Sequence, residues 1–369
     1  MIRPSSHAAS RASWRARFSG RALPCVLTIM LTCGCDEAQS TPPAEAGSPT
    51  SAASRTVVVF TAHDRIYSEP ILAEFQRRTG ITVEPVYDAE AAKTTGLINR
   101  LLARRDDQEC DVLWNNEPTQ TASLAQAGVL EPYRSPSAAR IPATYRDPQD
   151  RWTGFAARVR LFVYNTKKFP TNPPPASLAT FTDPAYRGQG VIALPYYGTT
   201  FTHVGVLHQR RGAVWLKDWF TRAKDNGTAF APGNGAACEL VASGERSFGL
   251  TDTDDAHRAI LEGKPIAFAI PDAAEIGPIL MPNTVALVKG APHGAEAKQL
   301  IDYLLSADVE RRLAEMDGAQ IPLGEDLRDV ATPWASILKD ATLKGLPTED
   351  IARSRKELIE LLRGLGLGQ

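Results

Sequence analysis

Residues 57–87 have the pattern of a single strand–helix–strand unit, which restricts the possible fold more than any other feature of the chain. The unit opens with a β-branched run that predicts a buried strand, and the apolar spacing of residues 66–75 predicts a helix that ends at Gly80. His63 and Asp64 lie between the strand and the helix. Because ligands of open α/β sheets bind beyond the carboxyl ends of the strands, we expect these two residues near a binding site.

The alternation of short apolar strands and amphipathic helices continues to about residue 305. This alternation predicts an α/β fold with helices on both faces of parallel sheets. The roughly 310 residues that follow the leader exceed one comfortable hydrophobic core, so we expect two domains. Residues 155–164 predict a longer strand that crosses between these domains, and the spacing of Leu124, Ala127 and Leu130 predicts a helix.

Residues 1–35 predict the signal peptide of a bacterial lipoprotein. An arginine-rich start without acidic residues precedes the apolar stretch 22–32, which is too short to span a bilayer. Gly34 stands directly before Cys35, as in a lipoprotein cleavage box, so we expect Cys35 to carry the lipid. An ordinary secretory signal and a wrongly assigned start site are the alternatives. Residues 36–55 are rich in Ala, Ser, Thr and Pro, which predicts a disordered tether.

Charge and hydropathy restrict the partners of the mature chain. The 41 basic and 42 acidic residues of the full chain nearly cancel, and the mature part contains no basic block, which argues against nucleic acid as a partner. No later apolar run reaches membrane-spanning length, so we expect a periplasmic protein that is held at the inner membrane only by its lipid. Cys110 and Cys238 are expected to be buried free thiols, with a disulfide between them as the alternative.

Carboxylates follow several of the predicted strands. Five of them are candidates for a site: Asp64, Glu117, Asp252, Asp254 and Asp255. Each one taken alone is typical of a helix cap or a solvated loop. Adjacent carboxylates repel each other unless a cation or a proton intervenes, and a cluster of carboxylates is what a hard cation requires. The sequence therefore predicts a cation site at these strand ends.

Several segments resemble the periplasmic ferric-ion-binding receptors of ABC importers, within the extracellular solute-binding proteins. The resemblance covers roughly residues 57–325. It is carried by Phe60-Thr61-Ala62-His63-Asp64, Thr79-Gly80-Ile81-Thr82-Val83, Asp111-Val112-Leu113-Trp114-Asn115-Asn116-Glu117, Ala127-Gly128-Val129-Leu130-Glu131-Pro132-Tyr133, Ala157-Arg158-Val159-Arg160, Ser243-Gly244-Glu245 and Val285-Ala286-Leu287-Val288-Lys289-Gly290. The resemblance implies a monomeric binding protein rather than an enzyme, with an ABC permease and its ATPase as partners.

The fold implied by the resemblance is the type II periplasmic-binding-protein fold. It has two hinged α/β lobes, each a mixed sheet flanked by helices, which close over a ligand. We expect lobe 1 to comprise residues 56–160 and 284–335, and lobe 2 to comprise residues 161–283 and 336–369.

The resemblance also implies the ligand residues. Glu117 matches the glutamate of the family's iron site, Asp64 falls at its histidine position, and Asp254 and Asp255 fall at its paired tyrosine positions. A carboxylate set without a phenolate suits iron or another hard cation, with or without a bound anion. Arg158 and Asn234 match the family's anion-binding positions. His63, Tyr196, Tyr197 and Asp252 are secondary candidates.

Two other functions fit the same residues. A receptor for a small anion or a phosphorylated solute would use Arg158, Asn234 and the hydroxyls of Thr199 and Thr200. A hydrolase that uses paired carboxylates is the alternative of another class, although neither a nucleophile elbow nor a His-Glu-x-x-His motif is present. We assign Arg158 and Arg160 to opposite faces of their strand and choose Arg158 as the residue that faces the ligand.

Overall fold

The long strand β5 (Thr153–Asn165) connects two groups of strands into one mixed sheet. The computed structural model describes residues 55–88, 95–334 and 345–368. The leader, Cys35 and nearly all of the predicted tether lie outside these residues. The other strands are β1 (Thr56–Thr61), β2 (Thr82–Tyr87), β3 (Val112–Asn115), β4 (Leu130–Glu131), β6 (Gly190–Ala193), β7 (Ala229–Ala231), β8 (Phe248–Asp252), β9 (Ile266–Ala269) and β10 (Leu280–Val288).

Helices cover the sheet as the alternating pattern predicts. They are α1 (Arg65–Thr79), α2 (Thr95–Ala103), α3 (Pro118–Gln126), α4 (Gly198–Asp225), α5 (Asn234–Ala242), α6 (Thr253–Leu261), α7 (Gly294–Leu304), α8 (Ala307–Glu315) and α9 (Thr348–Arg363). Helix α4 is interrupted at Gly212, where φ is 82° and ψ is 165°. No helix in the described part of the chain is both long and apolar enough to cross a membrane.

The strand order is β2-β1-β3-β10-β5-β8-β6-β7, with β4 paired to β10 and β9 paired to β5. Strands β1, β2 and β3 are parallel to one another, as are β6, β7 and β8, whereas β10 and β5 run antiparallel to their neighbours. Strand β5 pairs with β10 through residues 153–159 and with β8 through residues 160–164. The predicted long strand is therefore confirmed, whereas its crossing between two lobes stays a prediction.

The first unit has the structure that its sequence predicts. Helix α1 ends at Gly80, whose φ of 69° places it in the left-handed region that glycine adopts without strain. The predicted helix through Leu124, Ala127 and Leu130 is wrong beyond Gln126. Gly128 turns the chain with a φ of 73°, and Leu130 joins β4 opposite Val288. Cys110 and Cys238 are buried free thiols, as expected.

Helix α9 packs against both α3 and α4. Its Ile351 lies so close to Gly205 of α4 that a β-carbon at Gly205 would come within 2.5 Å of an Ile351 methyl group. Glycine therefore allows the two helices to approach closely. Residues Ala53–Gln369 form one compact unit, and α9 contacts helices of both predicted lobes. The predicted lobe boundaries therefore stay a prediction, and part of the range 336–369 lies outside the described residues.

Candidate functional site

A pocket of about 330 Å³ lies at the carboxyl ends of β6, β7 and β8 and at the elbow after β1. This is the edge of an α/β sheet at which ligands bind, because helices begin there and strand ends leave a crevice. The structure places nine of the predicted residues along this pocket: Asp64, Arg158, Tyr197, Thr199, Thr200, Asn234, Asp252, Asp254 and Asp255. Their roles as ligands stay predictions.

Three helices begin at the pocket. Gly198 opens α4 with a φ of 63°, Asn234 opens α5, and Thr253 opens α6 directly after β8. Backbone N–H groups in the first turn of a helix lack partners within the helix and carry a partial positive charge. These helix starts favour a negatively charged group in the pocket, in addition to any cation that the carboxylates attract.

Carboxylate oxygens of Asp252, Asp254 and Asp255 lie within 4.8 Å of one another. Burial raises the pKa of Asp254 to about 6, although Arg158 opposes the shift. Burial, together with the neighbouring Asp254, raises the pKa of Asp255 well above its usual value. Half-buried Asp64 lines the same pocket from the elbow after β1. The group can accept a cation or protons, because either one removes the repulsion between like charges.

Both Arg158 and Arg160 point toward the site, so their assignment to opposite strand faces is wrong. Residues i and i+2 of a strand share one face, because side chains alternate with a period of two. The Nη1 atom of Arg158 lies 3.8 Å from an oxygen of Asp254, and its Nη2 donates a hydrogen bond to the carbonyl of Asn116. Arg160 is completely buried and pairs with Asp252 at 2.8 Å.

Glu117 does not line the pocket, so the structure does not support its predicted role as a metal ligand. Its carboxylate is fully buried and caps α3 by accepting hydrogen bonds from the backbone N–H groups of Thr119 and Gln120, at 2.7 and 2.9 Å. It also accepts hydrogen bonds from the hydroxyls of Thr119 and Thr202. Thr202 belongs to α4, so Glu117 connects two helices rather than facing a ligand.

His63 and Tyr196 also lie away from the pocket. The His63 ring packs against Trp114, and its Nε2 lies 2.7 Å from the side-chain amide nitrogen of Gln320. Burial lowers the pKa of His63 to about 4, so the ring is neutral at pH 7. The Tyr196 hydroxyl donates to backbone carbonyls near the end of α9. Tyr197 does reach the pocket, where its hydroxyl donates to the carbonyl of Pro232 at 3.0 Å.

The sequence interpretation missed three residues that line the pocket, Arg65, Asn116 and Arg258, and it set aside Arg160, which binds Asp252. Arg258 stands three positions after Asp255 on α6, and its Nη2 lies 3.4 Å from that carboxylate. A spacing of three is a detectable signal for contact on a helix, once the helix itself is predicted. Asn116 directly precedes Glu117, and at this strand end the acidic residue was the predicted ligand.

The fold and the pocket define a binding protein whose ligand site is built from the loops at one sheet edge. The family description "bacterial extracellular solute-binding protein" matches residues 71–341, and this chain belongs to that family. The membership confirms the predicted class, a substrate-binding protein rather than an enzyme, and supports a location in the periplasm.

Individual relatives are more distant. Iron uptake protein A1 of Synechocystis sp. is 24% identical over 311 residues, which cover 80% of this chain and 82% of the relative. The putative 2-aminoethylphosphonate-binding periplasmic protein of Salmonella typhimurium is 25% identical over 275 residues, which cover 73% of this chain and 76% of the relative. The crystal structure of iron-bound HitA from Pseudomonas aeruginosa superposes with a TM-score of 0.74 at 22% identity, covering 85% of this chain and 100% of HitA. This likeness confirms the predicted fold class.

Replacing Glu117 by alanine separates its structural role from the predicted ligand role. We expect Glu117→Ala to lower the free energy of unfolding by about 1–2 kcal/mol, because α3 loses its cap. We expect the response of the variant to ferric citrate to equal that of the wild type, because Glu117 does not line the pocket. Urea unfolding and ferric-citrate titration measure the two quantities. Glu131→Ala, at an exposed position, is the control. Loss of ferric binding in a folded Glu117→Ala protein would show that Glu117 is a ligand after all.

Proposed function

We propose that this protein is the receptor of an ABC importer and binds ferric iron, or a cation of similar hardness, in the pocket at the sheet edge. The observation that carries the proposal is that carboxylate oxygens of Asp252, Asp254 and Asp255 lie within 4.8 Å of one another. Asp64 lines the same pocket. Relatives whose names refer to iron support the same ligand. The ABC permease and its ATPase are the expected partners.

The donor set suits a hard cation. Carboxylate oxygens are hard ligands. Burial, together with repulsion from neighbouring carboxylates, raises the pKa values of Asp254 and Asp255, and a bound cation compensates these buried charges. Tyr197 is the one phenol among the described residues that line the pocket, and its hydroxyl already donates to Pro232. The proposed iron site therefore depends on carboxylates rather than on phenolates.

A bound anion would complete the proposed site. Arg158 and the starts of α4 and α5 lie along the same pocket as the carboxylates. Positive groups of this kind favour an anion, which in turn supplies further oxygen ligands to a cation. We therefore propose that the cation binds together with a small anion such as citrate or phosphate.

A receptor for a phosphorylated or phosphonate solute is the second candidate. The pocket volume of about 330 Å³ is typical of a small-molecule site and larger than a single ion needs. The helix starts would hold the phosphorus-bearing group, while the carboxylates would accept hydrogen bonds from hydroxyls or an amine. The similarity to a putative 2-aminoethylphosphonate-binding protein supports this candidate.

Ligand analysis and direct titration distinguish the two candidates. The soluble domain is purified without chelator and analysed for metals and for co-purified anions. It is then titrated separately with ferric citrate, with phosphate and with 2-aminoethylphosphonate. Stoichiometric iron and tight binding of ferric citrate support the metal receptor. Tight binding of 2-aminoethylphosphonate by metal-free protein, without iron in the purified sample, supports the second candidate.

The adjacent carboxylates provide the mutational test. We expect Asp254→Asn with Asp255→Asn to abolish ferric binding and to leave the metal-free protein at least as stable as the wild type, because like-charge repulsion is removed. The matched control is Asp106→Asn with Asp107→Asn, an adjacent and exposed pair. Ferric titration and thermal unfolding measure both effects. Wild-type ferric affinity in the Asp254/Asp255 variant would exclude the carboxylate site.

The stability of the metal-free protein should depend on pH. Burial raises the pKa of Asp254 from 3.8 to about 6, so the folded protein holds this proton more tightly than the unfolded chain does. This contribution to the free energy of unfolding is fully present below pH 3.8 and is lost as the pH rises through about 6. Asp255 is shifted in the same direction. Thermal unfolding with a chelator, measured across this interval, should show the decline, and Asp254→Asn with Asp255→Asn should weaken it. If this variant loses as much stability over the same pH interval as the wild type, the decline does not come from Asp254 and Asp255.

We also propose that Cys35 carries a lipid that anchors the protein to the membrane. Gly34 before Cys35 at the end of an apolar stretch supports this anchor. We expect Cys35→Ala to move the protein from the membrane fraction to the soluble periplasmic fraction, as measured by fractionation and immunoblot. Cys33→Ala is the matched control and should stay with the membrane. If Cys35→Ala is retained as fully as the control, the protein is not anchored through Cys35.

A further inference from the structure

Arg160 has a completely buried side chain that does not itself line the pocket, but its side-chain hydrogen-bond partners do. Its Nη1 atom donates to Oδ1 of Asp252 at 2.8 Å, to Oδ1 of Asn234 at 3.0 Å and to Oγ1 of Thr199 at 3.2 Å. Its Nη2 atom lies 3.4 Å from Oγ1 of Thr200. One guanidinium thus connects β5 with the end of β8 and with the first turns of α4 and α5.

The second oxygen of Asp252 is also occupied. Oδ2 accepts hydrogen bonds from the hydroxyl of Thr199 at 2.5 Å and from the side-chain amide of Asn234 at 3.1 Å. Asp252 is therefore surrounded by donors from three elements, whereas Asp254 has a longer contact of 3.8 Å with Arg158. Asp252 and Asp254 both line the pocket but have different partners: an arginine, a hydroxyl and an amide hold Asp252 closely, whereas Asp254 is held less closely by its arginine.

We propose that Arg160 is a positioning residue that sets the charge selectivity of the pocket. It withdraws Asp252 from the ligand, and it holds Thr199, Thr200 and Asn234 where α4 and α5 begin. The proposal rests on the proposed function. In it, Asp254 and Asp255 form the cation side of the pocket, and the helix starts form the anion side. Without Arg160, the carboxylate of Asp252 would face the ligand and the anion side would lose its arrangement.

Two variants of Arg160 test this division, with ferric citrate and inorganic phosphate as probes. In Arg160→Met we expect the ratio of ferric to phosphate affinity to increase by about tenfold or more, because Asp252 gains access to the cation while the phosphate site is disordered. Arg160→Lys keeps the charge and should keep part of the wild-type ratio. Arg134→Met, at an exposed arginine, is the matched control and should keep the wild-type ratio.

The double variant separates positioning from a purely structural effect. Arg160→Met with Asp252→Asn removes both buried charges, so it should recover folding stability that Arg160→Met loses. We expect it to lose the gain in ferric preference, because the freed carboxylate is gone, while phosphate binding stays weak. If the double variant instead recovers wild-type affinity for both probes, or if Arg160→Met weakens both probes equally, Arg160 supports only the fold and the proposal is wrong.

The proposal and the proposed function fail in different ways. Wild-type protein that binds neither ferric ion nor phosphate contradicts the proposed function, whatever the variants do. In that case crystal structures of wild-type protein and Arg160→Met decide the positioning role by themselves. Displacement of the Thr199 and Asn234 side chains, with Asp252 turned toward the pocket, supports the role, and an unchanged wall overturns it.

Discussion

Both groups of strands depend on hydrogen bonding to the same strand, β5. The strand pairs with β10 over its first half and with β8 over its second half, and each of its residues except Tyr164 is buried. The backbone hydrogen bonds of β5 therefore join the two groups of strands into one sheet. Arg158 is paired with Met281 of β10, and Arg160 is paired with Asp252 of β8. Arg158 and Asp252, which lie where β5 pairs with its two neighbours, also line the pocket, so the pocket is built on the strand that joins the two groups.

The pocket combines opposite charges at short distances, and this balance determines what it can bind. Carboxylates from β8 and α6 lie beside arginines, and helices begin at the same edge of the sheet. Burial raises the pKa values of Asp254 and Asp255 because their charges are only partly compensated. Asp252 differs from them because Arg160, Thr199 and Asn234 all donate to it. The proposed cation would bind beside the carboxylates, and its proposed anion would bind beside Arg158 and the helix starts.

Local sequence patterns predicted much of the fold and part of the site. The strand at 57–60, the helix after it and the turn at Gly80 are recognisable because their signals lie within a few residues of one another. Carboxylates at strand ends likewise pointed to the correct edge of the sheet. The helix that was extended to Leu130 shows the limit of such patterns, since apolar spacing continued past Gly128 while the backbone turned there.

The sequence by itself determined the α/β class, the position of the pocket edge and the acidic character of that edge, because these follow from local periodicity and residue type. Only the tertiary structure decided which polar residues line the pocket. Glu117 and Asp254 both stand next to strand ends, yet Glu117 is bound by Thr202, which lies 85 positions away in sequence. His63 turns toward Gln320, 257 positions away, whereas its neighbour Asp64 lines the pocket. Which polar side chains line the pocket therefore depends on residues that are distant in sequence and that only folding brings together.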